Sequence, residues 1–343
     1  MAREISSGSQ VNQALVLQGG GALGAFELGV ARAVFAEDCR FRPGVIAGVS
    51  IGAITAALLA RPAPGLTPLE ALEAFWREVT ASRLYPAAVQ PYLSIFGATN
   101  FYSLSPLGPF GTSLYEVDPL RATLTRLVDL DRLADPEAWP RLVFTATDLE
   151  QGELATFRSN CPKRPLTLDH ILASGSLPPS FPATRIGQTH YWDGGVFDNT
   201  PLGAVIDMLD GDDQDRAILV INLFPNIMPL PKTLADVGQH FQNLLFANKT
   251  RGDIALMKRF NQVADLMAQL QTLPENSPVW DLASFKAMLD QPPYRRVPHI
   301  LEVTRTTPAQ SLESSDFSHA GIERRAAEGL AKAQAELRRT GFL

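Results

Sequence analysis

Two short, wholly apolar runs that end in small residues open the chain. Residues 14–18 read Ala-Leu-Val-Leu-Gln and stop at three glycines, the pattern of a strand buried on both faces of a parallel sheet. From 23 to 37 the spacing turns helical, with Leu23, Phe26, Val30 and Val34 on one face. The couplet then repeats, with a strand predicted over 45–49 and a helix of small residues over 51–60. Pro62, Pro64 and Pro68 punctuate the chain before a helix over 69–80. Further strands are predicted over 142–149, 217–224 and 300–304. Helices are expected over 234–270, with a break near Gly252, and over 319–339. Strands alternating with helices predict an α/β layered fold around a mainly parallel sheet. No internal repeat is visible and no linker divides the chain cleanly. The chemistry is expected in residues 13–230, with 231–343 as a mainly helical C-terminal extension packed on the same domain.

Composition narrows the class. A chain of 343 residues with 45% apolar and 19% charged residues is globular and long enough to bury a core without staples. No apolar run approaches the ~20 residues that span a bilayer. Residues 1–13 are polar and lack a signal-peptide layout. Cys39 and Cys161 form neither a disulfide framework nor a metal cluster. These features together predict a soluble cytoplasmic protein with no transmembrane segment and no metal site. The net charge of −6 argues against nucleic acid as a partner. The charge is uneven: residues 1–215 hold 15 basic against 24 acidic side chains, and residues 216–343 hold 15 against 12. The pairs Arg295/Arg296, Arg324/Arg325 and Arg338/Arg339 belong to that second part. They read as solvated helix faces or as contacts to an anionic surface. A quarter of the aromatics fall in residues 85–115, interleaved with prolines and glycines. That stretch is expected either to wall a binding groove, with Phe96, Phe101 and Tyr102 as candidate pocket residues, or to complete the core.

Three motifs carry candidate chemistry. Gly48-Val49-Ser50-Ile51-Gly52 is a G-x-S-x-G set after an apolar run and before a helical one. A serine on such a turn is exposed, and the helix that follows favours negative charge beside it. Gly19-Gly20-Gly21-Ala22-Leu23-Gly24 lies at an earlier strand-to-helix junction, where backbone N–H groups can cradle an anion. It also matches G-x-G-x-x-G, so a dinucleotide-binding protein stays open. That fingerprint wants an acid at the end of the next strand, and Ser50 follows that strand here. An oxyanion hole at Gly19, Gly20, Gly21 and Gly24 explains the loop better. The third motif is Trp192-Asp193-Gly194-Gly195, followed by Asn199-Thr200-Pro201; Gly194 and Gly195 let the backbone pass close by the carboxylate. The five histidines, His170, His190, His240, His299 and His319, sit in no glycine-rich turn. In an α/β-hydrolase order of Ser, acid and His, either His299 or His319 would formally serve as the base.

Taken together, these residues resemble the patatin-like phospholipase family. The order of the glycine loop, G-x-S-x-G and Asp-Gly-Gly is similar to the family's, as is the block Ala173-Ser174-Gly175-Ser176-Leu177-Pro178 with Phe181-Pro182. The resemblance covers residues 13–230; residues 240–261 and 316–329 resemble an extension found on a bacterial group of members. It implies a three-layer α/β/α sandwich and a Ser50–Asp193 dyad, with Ser50 as nucleophile and Asp193 as general base. Gly48, Gly52, Gly194 and Gly195 would support the motifs, and neither cofactor nor metal takes part. Implied too are hydrolysis of a lipid ester through an acyl-enzyme, and peripheral contact with a lipid surface. A storage or polymeric ester is the alternative substrate, and a catalytically silent partner protein the alternative class. One departure stands out: Leu23 occupies a position where the family often carries Arg or Lys.

Overall fold

The computed structural model describes residues 11–343 except 83, 87–88, 99, 211–214, 226–228, 275, 291–295 and 309–311. The polar stretch 1–10 and Arg295 therefore lie outside the described residues. Eight strands form the main sheet: β1 (Gln13–Leu17), β2 (Val45–Gly48), β3 (Arg141–Asp148), β4 (Glu153–Arg158), β5 (Thr184–Ile186), β6 (Thr189–Asp193), β7 (Ala217–Asn222) and β8 (His299–Thr304). Five run parallel in the order β8-β7-β1-β2-β3. The remaining three are antiparallel and close the far edge.

Side chains alternate across the parallel strands and so feed two cores. Leu15, Leu17, Ile46, Phe144, Leu219 and Val303 face one layer of helices. In chain order these are α1 (Ala25–Val34), α2 (Ile51–Ala60), α3 (Pro68–Val79), α4 (Asp118–Leu127) and α5 (Leu168–Ser174). On the other face Ala14, Val16, Ala47, Val143 and Val220 meet α6 (Leu202–Ile206) and part of the long helix α7 (Leu234–Gln271), through Leu202, Val205, Ile254 and Met257. The result is the expected three-layer α/β/α arrangement. The last helix, α8 (His319–Arg339), returns to the first layer and packs on α1. Their approach is close: a Cβ on Gly29 would lie 1.9 Å from the Ala326 carbonyl oxygen, and one on Gly329 2.0 Å from that of Phe26.

Two elements depart from the expectation. Helix α7 runs unbroken through Gly252, because buried Thr250, Ile254 and Met257 pin the turns on either side. Glycine in a helix costs only about 1 kcal/mol. The polar, half-exposed strands β4, β5 and β6 were not foreseen. They matter for function, because β4 occupies one edge of β3 along its whole length. On the other edge, the first half of β3 pairs with β2 and the second half with β6. Gly48 faces Phe144 and Asp193 faces Ala146 on that edge. The end of β2 and the end of β6 are thereby brought together. No helix among the described residues is long and apolar enough to cross a membrane.

Candidate active site

The site lies beyond the carboxyl ends of the parallel strands, where open α/β sheets bind ligands. Ser50 joins β2 to α2 with φ +57° and ψ −123°, a left-handed conformation that a non-glycine residue adopts only under constraint. The constraint is visible. The Ser50 N–H donates to Ser174 at the end of α5, to Oγ at 3.0 Å and to the carbonyl oxygen at 3.1 Å. Gly48 and Gly52 let the turn close, since a Cβ on Gly48 would sit 2.1 Å from the Gly52 carbonyl oxygen. The Ser50 side chain stands at the N-terminus of α2, partly exposed.

Asp193 ends β6 and is 2% exposed. It lines the cavity beside Ser50 and accepts, at Oδ1, a hydrogen bond from the Gly195 N–H at 2.7 Å. Its own N–H donates to the Ser176 carbonyl at 3.0 Å, and its carbonyl accepts from the Thr147 hydroxyl at 2.9 Å. Burial disfavours the charged carboxylate and, against the opposing influence of Ser50 and Gly195, pushes its pKa from 3.8 up to about 7. Gly194 packs on β3, where a Cβ would meet the Thr145 carbonyl oxygen at 2.5 Å.

The glycine loop borders the same pair. Gly19, Gly20 and Gly21 line a cavity of about 240 Å³ together with Ser50 and Asp193. Gly21 adopts φ +56° and leaves no room for a side chain, because a Cβ would approach the Ser314 carbonyl oxygen to 2.4 Å. Gly24 is not among the lining residues; it packs instead against Ile51 of α2. Leu23 is fully buried and points no side chain at the cavity. Of the three aromatic pocket candidates, Phe101 and Tyr102 line the cavity and are buried. They belong to a ring cluster with Phe181 and Phe317, so they serve wall and core together. Phe96 is 72% exposed and lies outside the lining. No histidine lines the cavity. Among the described residues no three His, Cys, Asp or Glu side chains gather as a metal ligand set.

Sequence reasoning missed three contributors. Asn199 ties the two loops together: its Nδ2 donates to the Gly19 carbonyl at 3.0 Å, and it stands against Gly19 and Gly195 so closely that neither has room for a Cβ. Its place six residues after Asp193 was the only available signal. Ser174 holds the Ser50 backbone, as above. The third is a wall from the C-terminal part, where Leu312, Ser314, Ser315 and Phe317 line the cavity. Buried ion pairs hold that wall: Arg305 to Glu313 at 2.6 Å and Arg325 to Asp316 at 3.3 Å. Helix α7 also reaches the site, through Gln242 and Phe246. Gln18, at the foot of the glycine loop, donates to Thr250 of α7 at 3.1 Å and accepts from the Leu223 N–H at 2.7 Å.

A buried carboxylate and a serine on a tight turn thus meet beside a glycine loop at the open end of the parallel sheet of an α/β protein. A sequence model of the patatin-like phospholipases matches residues 15–206. The chain belongs to the patatin-like phospholipase family, a family of lipid hydrolases. No curated protein matches it. Among solved structures it is similar to VipD from Legionella pneumophila, at 12% identity and a TM-score of 0.43, over 96% of this chain and 67% of that one. It is similar too to the heterodimeric ExoU–SpcU complex of the type III secretion system of Pseudomonas aeruginosa, at 17% identity and a TM-score of 0.30, over 97% of this chain and 76% of that one.

Proposed function

We propose that the protein is a serine acyl hydrolase of lipid esters, of the phospholipase A, lysophospholipase or lipid esterase kind, working through a Ser50–Asp193 dyad. The observation that carries this reading is Ser50 and the buried Asp193 lining one cavity beside the glycine loop, with burial pushing the Asp193 carboxyl up to about 7. A carboxylate at its ordinary pKa is a poor base for a hydroxyl; one raised close to the working pH transfers the proton far better. As Ser50 Oγ attacks the ester carbonyl, its proton passes to Asp193 and the carbonyl electron pair moves onto oxygen. The amides of Gly19, Gly20 and Gly21, which line the cavity with Ser50, would hold that oxyanion, a contribution of ~3–4 kcal/mol per donor. Collapse of the intermediate breaks the ester C–O bond, and the leaving alkoxide takes the proton from Asp193. Water, deprotonated by the same carboxylate, then attacks the acyl-enzyme; the acyl–Oγ bond breaks and Ser50 Oγ takes the proton back from Asp193 as the acid leaves.

The cavity supports an acyl chain as the group bound. Ile51, Ile54, Leu120, Leu172 and Phe224 bring apolar side chains to its wall, and such a lining suits hydrocarbon. Residues 13–230 would carry the chemistry while the extension 231–343 supplies the wall at Ser314 and Phe317. Cys39 and Cys161 are both free thiols, which fits a cytoplasmic setting.

The test is turnover of a soluble short-chain nitrophenyl ester by four variants. Ser50→Ala and Asp193→Asn should each lower kcat/KM by roughly 10³-fold or more. His299→Ala and His319→Ala should stay within a few-fold of the parent. A histidine variant as damaged as Asp193→Asn would replace the dyad with a histidine-based triad.

A further inference from the structure

The 38-residue helix α7 is anchored on one side and bare on the other. Its inner side carries Phe246 at the cavity, Thr250 bonded to Gln18, and Ile254 and Met257 in the core. Its outer side exposes Val237, Phe241, Leu244, Leu245, Leu256 and Val263, with Phe241 61% and Leu245 53% exposed. At ~100° per residue these six fall within an arc of about 120°, centred opposite the anchored side. That is an apolar stripe on solvent, running most of the helix.

Its charges are one-sided. Among the described residues the only charged one on the arc is Arg259, exposed, and Arg251 flanks it, also exposed. The acids of the helix, Asp236, Asp253 and Asp265, lie on its other sides; Asp236 closes the helix's own capping box and Asp265 pairs with Arg296 at 2.7 Å. In a chain of net charge −6, the described charges on and beside this apolar face are thus positive. Apolar surface also borders the cavity opposite α7, where Ile95 and Leu114 line it while remaining nearly half exposed. Apolar stripes with cationic flanks are the mark of a helix that lies in the interface of an anionic membrane.

We propose that the outward face of α7 docks the protein on an anionic lipid bilayer and holds the cavity beside its surface. This inference rests on the lipid hydrolase reading for its purpose, though not for its test. The full-length Ser50→Ala protein is sedimented with vesicles of phosphatidylcholine alone or mixed with phosphatidylglycerol. The parent surface should bind the mixed vesicles and bind pure phosphatidylcholine less. The double change Leu244→Glu/Leu245→Glu should weaken binding to mixed vesicles by about tenfold or more, and Arg259→Gln should reduce its preference for phosphatidylglycerol. In the Ser50-containing protein the same double change should leave the circular dichroism spectrum and soluble-ester turnover unaltered, since both leucines lie outside the cavity. Equal vesicle binding by parent and double variant overturns the proposal. So does a parent that light scattering shows to be a dimer and the variant a monomer, because a second copy then covers the stripe. A parent that binds vesicles but hydrolyses no ester would refute the enzyme reading and leave the docking face standing.

Discussion

Replacing Asp193 by Asn keeps the side chain's shape and its acceptance of the Gly195 N–H while removing the ionisable group. The folded protein holds the Asp193 proton up to about pH 7, whereas an exposed carboxyl releases it near 3.8. Between those values the folded state binds more protons than the unfolded one, so stability falls as pH rises through that window. The gap corresponds to roughly 4 kcal/mol. Because the group is 2% exposed, solvent screening removes little of it. Below pH 4 the parent and Asp193→Asn should be equally stable. At pH 8 the Asn variant should be more stable, by up to ~4 kcal/mol, and nearly inactive. Urea unfolding at pH 4, 6 and 8 measures the first quantity. The parent's kcat/KM on a soluble ester supplies the second: it should climb about tenfold per pH unit below 7 and level off above it. An Asn variant less stable than the parent at pH 8, or a parent rate flat from pH 5 to 8, would refute a buried carboxylate base.

Three further outcomes follow from the packing. Phe96→Ser should leave melting temperature and soluble-ester turnover unchanged, whereas Phe101→Ser should lower the melting temperature and impair both short-chain and long-chain esters, since only the second ring is buried. Gly29→Ala drives a methyl into the Ala326 carbonyl and should cost about 2 kcal/mol or more in thermal unfolding; a neutral effect would mean that α1 and α8 can separate freely. Glu313→Gln strips the buried Arg305 of its nearer charged partner, leaving Glu328 at 3.8 Å, and takes a charge from Arg325 as well; it should destabilise by ~3 kcal/mol in urea and raise KM before it lowers kcat, because the wall at Ser314 and Phe317 loosens.

The parallel strands β1, β2 and β7 were legible because each is a short apolar run, almost wholly buried; β3 and the half-exposed β8 showed through the apolar stretches Leu142–Phe144 and Ile300–Leu301. Residues 51–60 and 319–339 were legible as helices to the residue. Strands β4, β5 and β6 were not, because segments such as Glu153–Arg158 and Thr189–Asp193 belong to the antiparallel margin of the sheet, half exposed, and carry no apolar alternation strong enough to separate them from loop. That blindness hid the reason Ser50 and Asp193 meet, which is the shared edge of β3. The motifs themselves were visible because their glycines answer to local constraints that a sequence displays. Asn199, Ser174 and the wall around Ser314 act chiefly through contacts 120 or more residues away along the chain, so the motifs that contain Asn199 and Ser174 gave them no role. Aromatic density located residues 85–115 as unusual, yet it could not say that Phe101 turns inward and Phe96 outward.

The central claim is that Ser50 is the nucleophile and Asp193 its base. It is tested most directly by reacting the intact protein with a fluorophosphonate probe and mapping the adduct by mass spectrometry. The account predicts one adduct, on Ser50, abolished in Ser50→Ala and strongly slowed in Asp193→Asn, with labelling of the parent rising through pH 7. An adduct on any other residue, or full labelling of Ser50→Ala, would contradict it.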